Sequence, residues 1–254
     1  MISKSELKYF SSLAIKKFRD KENKFIAEGL KIVKEGLESN YDCKAIFVTE
    51  DFIESHHEFY QSAKIKNINI YQLDAIDFKK ISDTKTPQGV AAVFNKSLPQ
   101  KNIRNVDDKI IVLIDNVSDP GNLGTIIRTC DWFGIKNILI SNQSVDYLNP
   151  KVVRASMGSI FHLNIWDNVI ENDLILLKQN GYKVFSADLK GKNIFGIKRS
   201  DKSIFIFSNE ATGPSETIRN ITDEYITISG KGSAESLNVS TAAAIILSVV
   251  TNES

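Results

Sequence analysis

The chain has 254 residues, 42% hydrophobic and 25% charged, with 32 Lys/Arg against 31 Asp/Glu. At roughly 150 residues per domain the length fits one or two domains, and the ordinary composition excludes disordered, collagen-like and coiled-coil chains. Cys43 and Cys130 lie too far apart for a disulfide scaffold or a cysteine-based zinc site, no run reaches the ~18 apolar residues of a membrane span, and MISKSELKYF lacks a signal-peptide core. The expectation is a cytoplasmic protein with neither membrane nor metal among its partners.

In chain order, the first part shows helical patterns at Lys4–Phe18 and Ala27–Glu38, a strand at Ala45–Thr49 and a helix at Phe52–Ala63. A strand at Asn69–Leu73, a helix at Ala75–Ile81 and a strand at Gly89–Phe94 complete a compact αβα unit. Residues 1–34 carry nine Lys/Arg against four acids, a balance of +5, and residues 35–60 carry one lysine against seven acids, a balance of −6. Such a basic face could steer a polyanion, but charge alone favours two helices with opposite solvated faces. The polar, aperiodic stretch 97–108 reads as a linker.

The second part alternates. Strand Lys109–Ile114, helix Leu123–Phe133, strand Asn137–Ser141 and helices Pro150–Gly158 and Val169–Gln179 come first. Strands Lys183–Ala187 and Ser203–Ser208, helix Pro214–Asn220, strand Tyr225–Ser229 and helix Ser236–Val250 follow. Alternation of this kind predicts a parallel sheet covered on both faces, with ligands held by loops beyond the carboxyl ends of the strands. The chain has no dinucleotide fingerprint and no Walker loop, because Gly230-Lys231-Gly232-Ser233 has the wrong spacing. With only His56, His57 and His162, histidine catalysis is poorly supplied.

Three loops carry the chemical signal. The first runs from Asp115 through Asp119-Pro120-Gly121 to Asn122 and, six residues on, Arg128. Helix capping would account for Asn122, and an i,i+3 pair with Asp131 for Arg128. Ile126, Ile127, Cys130 and Phe133 define the helix's apolar stripe and leave Arg128 on its margin. In the second loop, Phe207–Glu216, an apolar strand delivers Glu210 to its carboxyl end before Gly213-Pro214 opens a helix. The third, Ile228–Ser240, is a glycine-rich turn followed by Ser236, Asn238 and Ser240 alternating with Leu237 and Val239. Capping explains one of those three polar residues and leaves two unexplained.

Together the loops resemble the three motifs of the SpoU (TrmH-like) group of RNA methyltransferases, in the SPOUT superfamily: N-x(5)-R at Asn122–Arg128, N-E-x-x-G at Asn209–Gly213 and S-L-N-V-S at Ser236–Ser240. The resemblance implies transfer of a methyl group from S-adenosylmethionine to a ribose 2′-oxygen of ribosomal or transfer RNA. By position, Arg128, Asn122, Glu210, Ser236 and Asn238 match the family's catalytic residues. Ser208, Asn209, Gly213, Ile228, Gly230 and Leu237 match its cofactor pocket. The implied fold is a parallel sheet with a C-terminal trefoil knot, forming homodimers through the C-terminal domain. Phe25–Gly29 and Thr86–Val93 resemble the family's RNA-binding module, which turns the basic N-terminal residues Lys16, Lys17, Arg19, Lys21 and Lys24 into a candidate RNA footprint. The expected organisation is an RNA-binding domain 1–96, a linker 97–108 and an S-adenosylmethionine-binding domain 109–254.

Two departures bear on the pocket. Ser208 and Ala211 replace the first two glycines of the family's G-x-E-G-x-G, and Ile228-Ser229-Gly230 replaces I-P-M. They motivate an alternative, a catalytically inactive RNA-binding protein that kept the methyltransferase fold. A nucleotide-dependent oxidoreductase is disfavoured by the missing dinucleotide fingerprint.

Overall fold

The computed structural model describes every residue except Met1, Asn67, Leu98, Gln100, Lys101, Ala211, Glu253 and Ser254. The chain forms two units, Met1–Ser97 with Leu148–Phe161, and Leu98–Tyr147 with His162–Ser254.

The first unit contains α1 (Lys4–Ser12), α2 (Lys16–Glu22), β1 (Lys24–Glu28), α3 (Leu30–Glu38) and β2 (Cys43–Val48). It continues with α4 (Glu50–Ser55), α5 (His57–Ile65), β3 (Asn69–Gln72), α6 (Ala75–Ile81) and β4 (Val90–Asn95). Its sheet runs β1-β4-β2-β3, with β4 antiparallel to β1 and β2, and β2 parallel to β3. The αβα reading holds, but three boundaries move. The expected helix Lys4–Phe18 is broken after Ser12, and the buried Arg19 donates to the carbonyls of Leu13 and Ala14 at 2.9 and 2.7 Å. Those carbonyls lie where α1 runs out of intrahelical partners. The helix expected over Phe52–Ala63 is interrupted at His56, whose backbone (φ −133°, ψ 46°) is not helical. The pattern beginning at Ala27 is first a strand: Phe25, Ile26 and Ala27 are fully or nearly fully buried, and Phe25 pairs with Phe94. Apolar residues of the strand flow directly into those of α3, so periodicity alone does not separate the two.

The second unit contains β5 (Ile110–Asp115), α7 (Pro120–Trp132) and β6 (Asn137–Ser141); α8 (Pro150–Ala155) follows in the chain but belongs to the first unit. Then come β7 (Asn164–Val169), α9 (Glu171–Gln179), β8 (Lys183–Asn193), β9 (Ser203–Ser208), α10 (Glu216–Ile221), β10 (Glu224–Thr227) and α11 (Val239–Asn252). The six strands run parallel in the order β10-β8-β9-β5-β6-β7, as expected of an α/β alternation. β5, β6 and β9 are buried along nearly their whole lengths, as a sheet covered on both faces requires. α11 packs against α7, an arrangement compatible with a knotted C-terminal tail.

Two strands differ from expectation. β7, unanticipated, is an edge strand whose Asn164, Asp167 and Asn168 are poor strand formers. β8 extends six residues beyond Ala187 and bulges: Ser186 opposes Tyr225, yet Lys192 opposes the very next residue, Ile226. The bulge closes at Gly191, where a Cβ would overlap the backbone of Ile226. Only glycine admits so close an approach.

Candidate active site

β5 and β9 lie side by side with Asp115 opposite Ser208, so the first two motif loops leave the sheet at the same level. Asp115 is 2% exposed, and its Oδ2 accepts from the Ser215 N–H at 2.8 Å. Asn116, held at φ 55°, donates through Nδ2 to Thr212 Oγ1 at 3.2 Å. These two residues join the loops, and sequence analysis gave them no role; an acid closing an apolar strand just before a turn was the available signal.

The cap of α7 is Asp119, whose Oδ1 accepts from the Asn122 N–H at 2.8 Å, with Pro120 in the first turn. The capping role considered for Asn122 is therefore filled, and its side chain reaches another motif: Asn238 Nδ2 donates to Asn122 Oδ1 at 3.0 Å. The helix of the third motif begins at Val239 rather than Ser236, which leaves Ser236, Leu237 and Asn238 as an exposed approach to it. Asn238 Oδ1 accepts from the Ser240 N–H at 2.9 Å and from its hydroxyl at 2.6 Å. Glu210 Oε1 accepts from the Val239 N–H at 2.7 Å, a carboxylate satisfying an orphan donor at the positive end of α11. Asn122, Glu210 and Asn238 thus tie three loops into one junction.

Arg128 stands apart from it. Its side chain is exposed and makes no hydrogen bond or ion pair among the described residues. The pair with Asp131 does not form, because Asp131 Oδ2 is 2.8 Å from His162 Nδ1 and its Oδ1 is 4.0 Å from Lys136 Nζ.

Beside the junction lies a cavity of about 570 Å³, within the usual ~300–1,000 Å³ of small-molecule sites. Phe207, Pro214, Ile226 and Ile246 provide apolar wall, and Glu210 and Ser236 reach it from the motif loops. Of the expected pocket residues, Ser208, Asn209, Gly213, Ile228 and Leu237 line it, whereas Gly230 is exposed and lies off the wall. The turn at Gly213 has φ 66°, which glycine adopts freely. Ser208 is 8% exposed and its hydroxyl has no partner among the described residues. The other departure in this loop, Ala211, falls outside the described residues. Ala187, Asp188, Leu189 and Lys190, from the β8 bulge, also line the cavity and were not anticipated.

Residues 109–248 match the SpoU rRNA Methylase family. The chain belongs to that family. Residues 4–92 match an MRM3-like substrate binding domain. Among relatives, the chain is similar to the 23S rRNA (guanosine(2553)-2'-O)-methyltransferase RlmP of Bacillus subtilis, with 34% identity over 95% of this chain and 94% of that one. Among solved structures, an RNA methyltransferase of the TrmH family from Porphyromonas gingivalis superposes with a TM-score of 0.85 and 31% identity, over 100% of both chains. An AdoMet-bound rRNA methyltransferase from Sinorhizobium meliloti gives 0.85 and 26%, over 98% of this chain and 96% of that one. Of the expected site residues, Asn122, Glu210 and Asn238 are bonded into the junction, Ser236 lines the cavity and Arg128 stands apart from it.

Besides Gly230, a second expected site residue is placed elsewhere by the structure. Arg19 was grouped with an RNA-facing basic set, yet it is 3% exposed and turned onto backbone carbonyls. Lys16, Lys17 and Lys21 are exposed, and Lys24 is half-buried with Nζ 2.9 Å from the Tyr9 hydroxyl.

Proposed function

We propose that the protein transfers the methyl group of S-adenosylmethionine to a ribose 2′-hydroxyl of structured RNA. The observation that carries this reading is the junction of Asn122, Glu210 and Asn238 beside a cavity of cofactor size. The cavity suits the cofactor: its apolar wall can cover an adenosine, and the Ser208 hydroxyl, without a partner among the described residues, offers a buried polar contact. Ser208, Asn209, Gly213, Ile228 and Leu237 would hold it. When bound, S-adenosylmethionine supplies a methyl group already activated on a sulfonium. The chain has then to align the ribose and ease departure of one proton. Arg128 carries a planar fork of donors suited to a ribose oxygen and its neighbouring phosphate. A guanidinium that stays charged positions the hydroxyl and does not accept its proton. Asn122 and Asn238 keep the loops in register, Glu210 fixes the start of α11, and Ser236 faces the cavity.

Residues 1–96 serve as the RNA-binding domain in this reading, 97–108 as linker and 109–254 as the cofactor-binding domain. Lys16, Lys17, Lys21 and Lys24 contact phosphates. A homodimer through the C-terminal domain draws support from Trp132, 84% exposed at the end of α7. The relative in Bacillus subtilis is named for a guanosine of 23S rRNA, so large-subunit ribosomal RNA is the first substrate to assay. No observation favours the inactive alternative. Incubating the full chain with cofactor labelled on the methyl group and with ribosomal and transfer RNA should give labelled 2′-O-methyl nucleotide at a defined position. An absence of transfer to either RNA overturns the reading.

A further inference from the structure

We propose that Arg219 takes the carboxylate of the cofactor's methionine half, so that the site selects ligands bearing that amino acid. This rests on the reading of the cavity as the S-adenosylmethionine site. Four charged side chains line the cavity: Asp188, Lys190, Glu210 and Arg219. Glu210 is engaged with the start of α11 at 2.7 Å, and Asp188 Oδ1 accepts from the Lys190 N–H at 2.9 Å within the β8 bulge. Arg219 is exposed, and among the described residues its one hydrogen bond is a 3.5 Å contact from Nη2 to the Thr212 carbonyl. That length is beyond the usual range for an N–H···O bond, so the guanidinium is free to engage a ligand.

The chemistry of the ligand matches this. Cofactor and product both carry a methionine-type amino acid on sulfur, whose carboxylate is their one anionic group. The apolar wall suits the adenosine, leaving the carboxylate to a cation at the cavity lining. Arg219 can grip a carboxylate with two parallel N–H···O bonds, whereas Lys190 offers a point charge without that fork. The helix carrying Arg219 is also fixed in place. Asp115 Oδ2 holds the N–H of Ser215, the N-cap residue of α10, at 2.8 Å. An arginine one turn into a helix anchored at its start is pre-placed for a ligand, which reduces the ordering cost of binding.

The test is calorimetric and uses the full chain with two ligands. S-adenosylhomocysteine carries the amino acid half; 5′-methylthioadenosine keeps adenosine and thioether and lacks it. Wild-type protein should prefer the former. Arg219→Ala should weaken S-adenosylhomocysteine about ten- to a hundredfold, the range for hydrogen bonds to charged groups, and leave methylthioadenosine unchanged. Unchanged methylthioadenosine binding also shows that the variant keeps its pocket. Arg219→Lys should recover only part of the loss, and Lys190→Ala should change the preference less than Arg219→Ala does. Equal weakening of both ligands, or an unaltered preference in Arg219→Ala, overturns the proposal while leaving the cofactor site standing. Binding of neither ligand by wild-type protein overturns the cofactor reading itself, and this proposal with it.

Discussion

At the scale of single residues, exposure separates two arginines that look alike in sequence. Arg128 is exposed and has no partner among the described residues, and its candidate partner Asp131 is taken by His162 at 2.8 Å. Arg128→Ala should therefore change stability by no more than about 0.5 kcal/mol. Its methyl transfer should fall by orders of magnitude, since each ~1.4 kcal/mol of lost transition-state stabilisation is tenfold. Thermal melting and single-turnover transfer on the same preparation check both halves, and near-normal turnover would return Arg128 to an inert surface. Arg19 behaves oppositely. Its side chain is 3% exposed and serves the Leu13 and Ala14 carbonyls. Arg19→Ala should cost about 1–3 kcal/mol, the penalty for buried groups left unsatisfied. Replacing exposed Lys16, Lys17 and Lys21 together should leave stability nearly unchanged and flatten the salt dependence of RNA binding. Urea midpoints and RNA titrations at several salt concentrations distinguish the two classes. The motif residues Asn122, Glu210 and Asn238 were legible through their resemblance to the SpoU motifs. The inward turn of Arg19 was not, because a charge count does not say which way a side chain faces.

At the scale of elements, the pairing of β8 with β10 gives a pH prediction. Glu224 on β10 lies 2.7 Å from Lys183 and 2.8 Å from Lys192, both on β8. Hydrogen bonds from Lys183 and then Lys192 hold its carboxyl below the ordinary value of 4.5. A carboxyl whose pKa is lower folded than unfolded stabilises the fold above about pH 4.5 and loses that contribution as pH falls further. Glu224→Gln should accordingly lower the urea midpoint at pH 7, and the gap to wild type should narrow toward pH 3. A gap independent of pH counts against the assignment. The two lysines reach one carboxylate because the β8 bulge skips Ala187–Gly191 in the pairing. Nothing local in the sequence announces that skip, which depends on Gly191 meeting the backbone of Ile226.

At the scale of the molecule, the units are not two consecutive lengths of chain. Residues 148–161 pack with residues 1–97, and Phe161 sits 5.0 Å from Phe94, 5.0 Å from Tyr41 and 6.0 Å from Phe25, ring centre to ring centre. A fragment 109–254 keeps this segment and loses the rings it packs on. We expect that fragment to expose Val152, Val153, Ile160 and Phe161, all buried in the full chain, and to associate or bind a hydrophobic dye. Sedimentation and dye fluorescence against the full chain measure this, and a monomeric, dye-silent fragment would contradict it.

What the sequence determined by itself is local. Unbroken apolar runs named β5, β6 and β9, and turn residues at fixed spacing located the three motif loops, because burial on both faces and backbone geometry leave direct marks on composition. The tertiary structure decided which polar groups turn inward, where β8 bulges, and which unit residues 148–161 join. Most of those outcomes depend on groups distant in the chain, such as Asp115 on the Ser215 N–H or Asn122 on Asn238. A buried polar group costs stability unless it finds a partner, and one sequence read along its length does not say which distant residue that partner is.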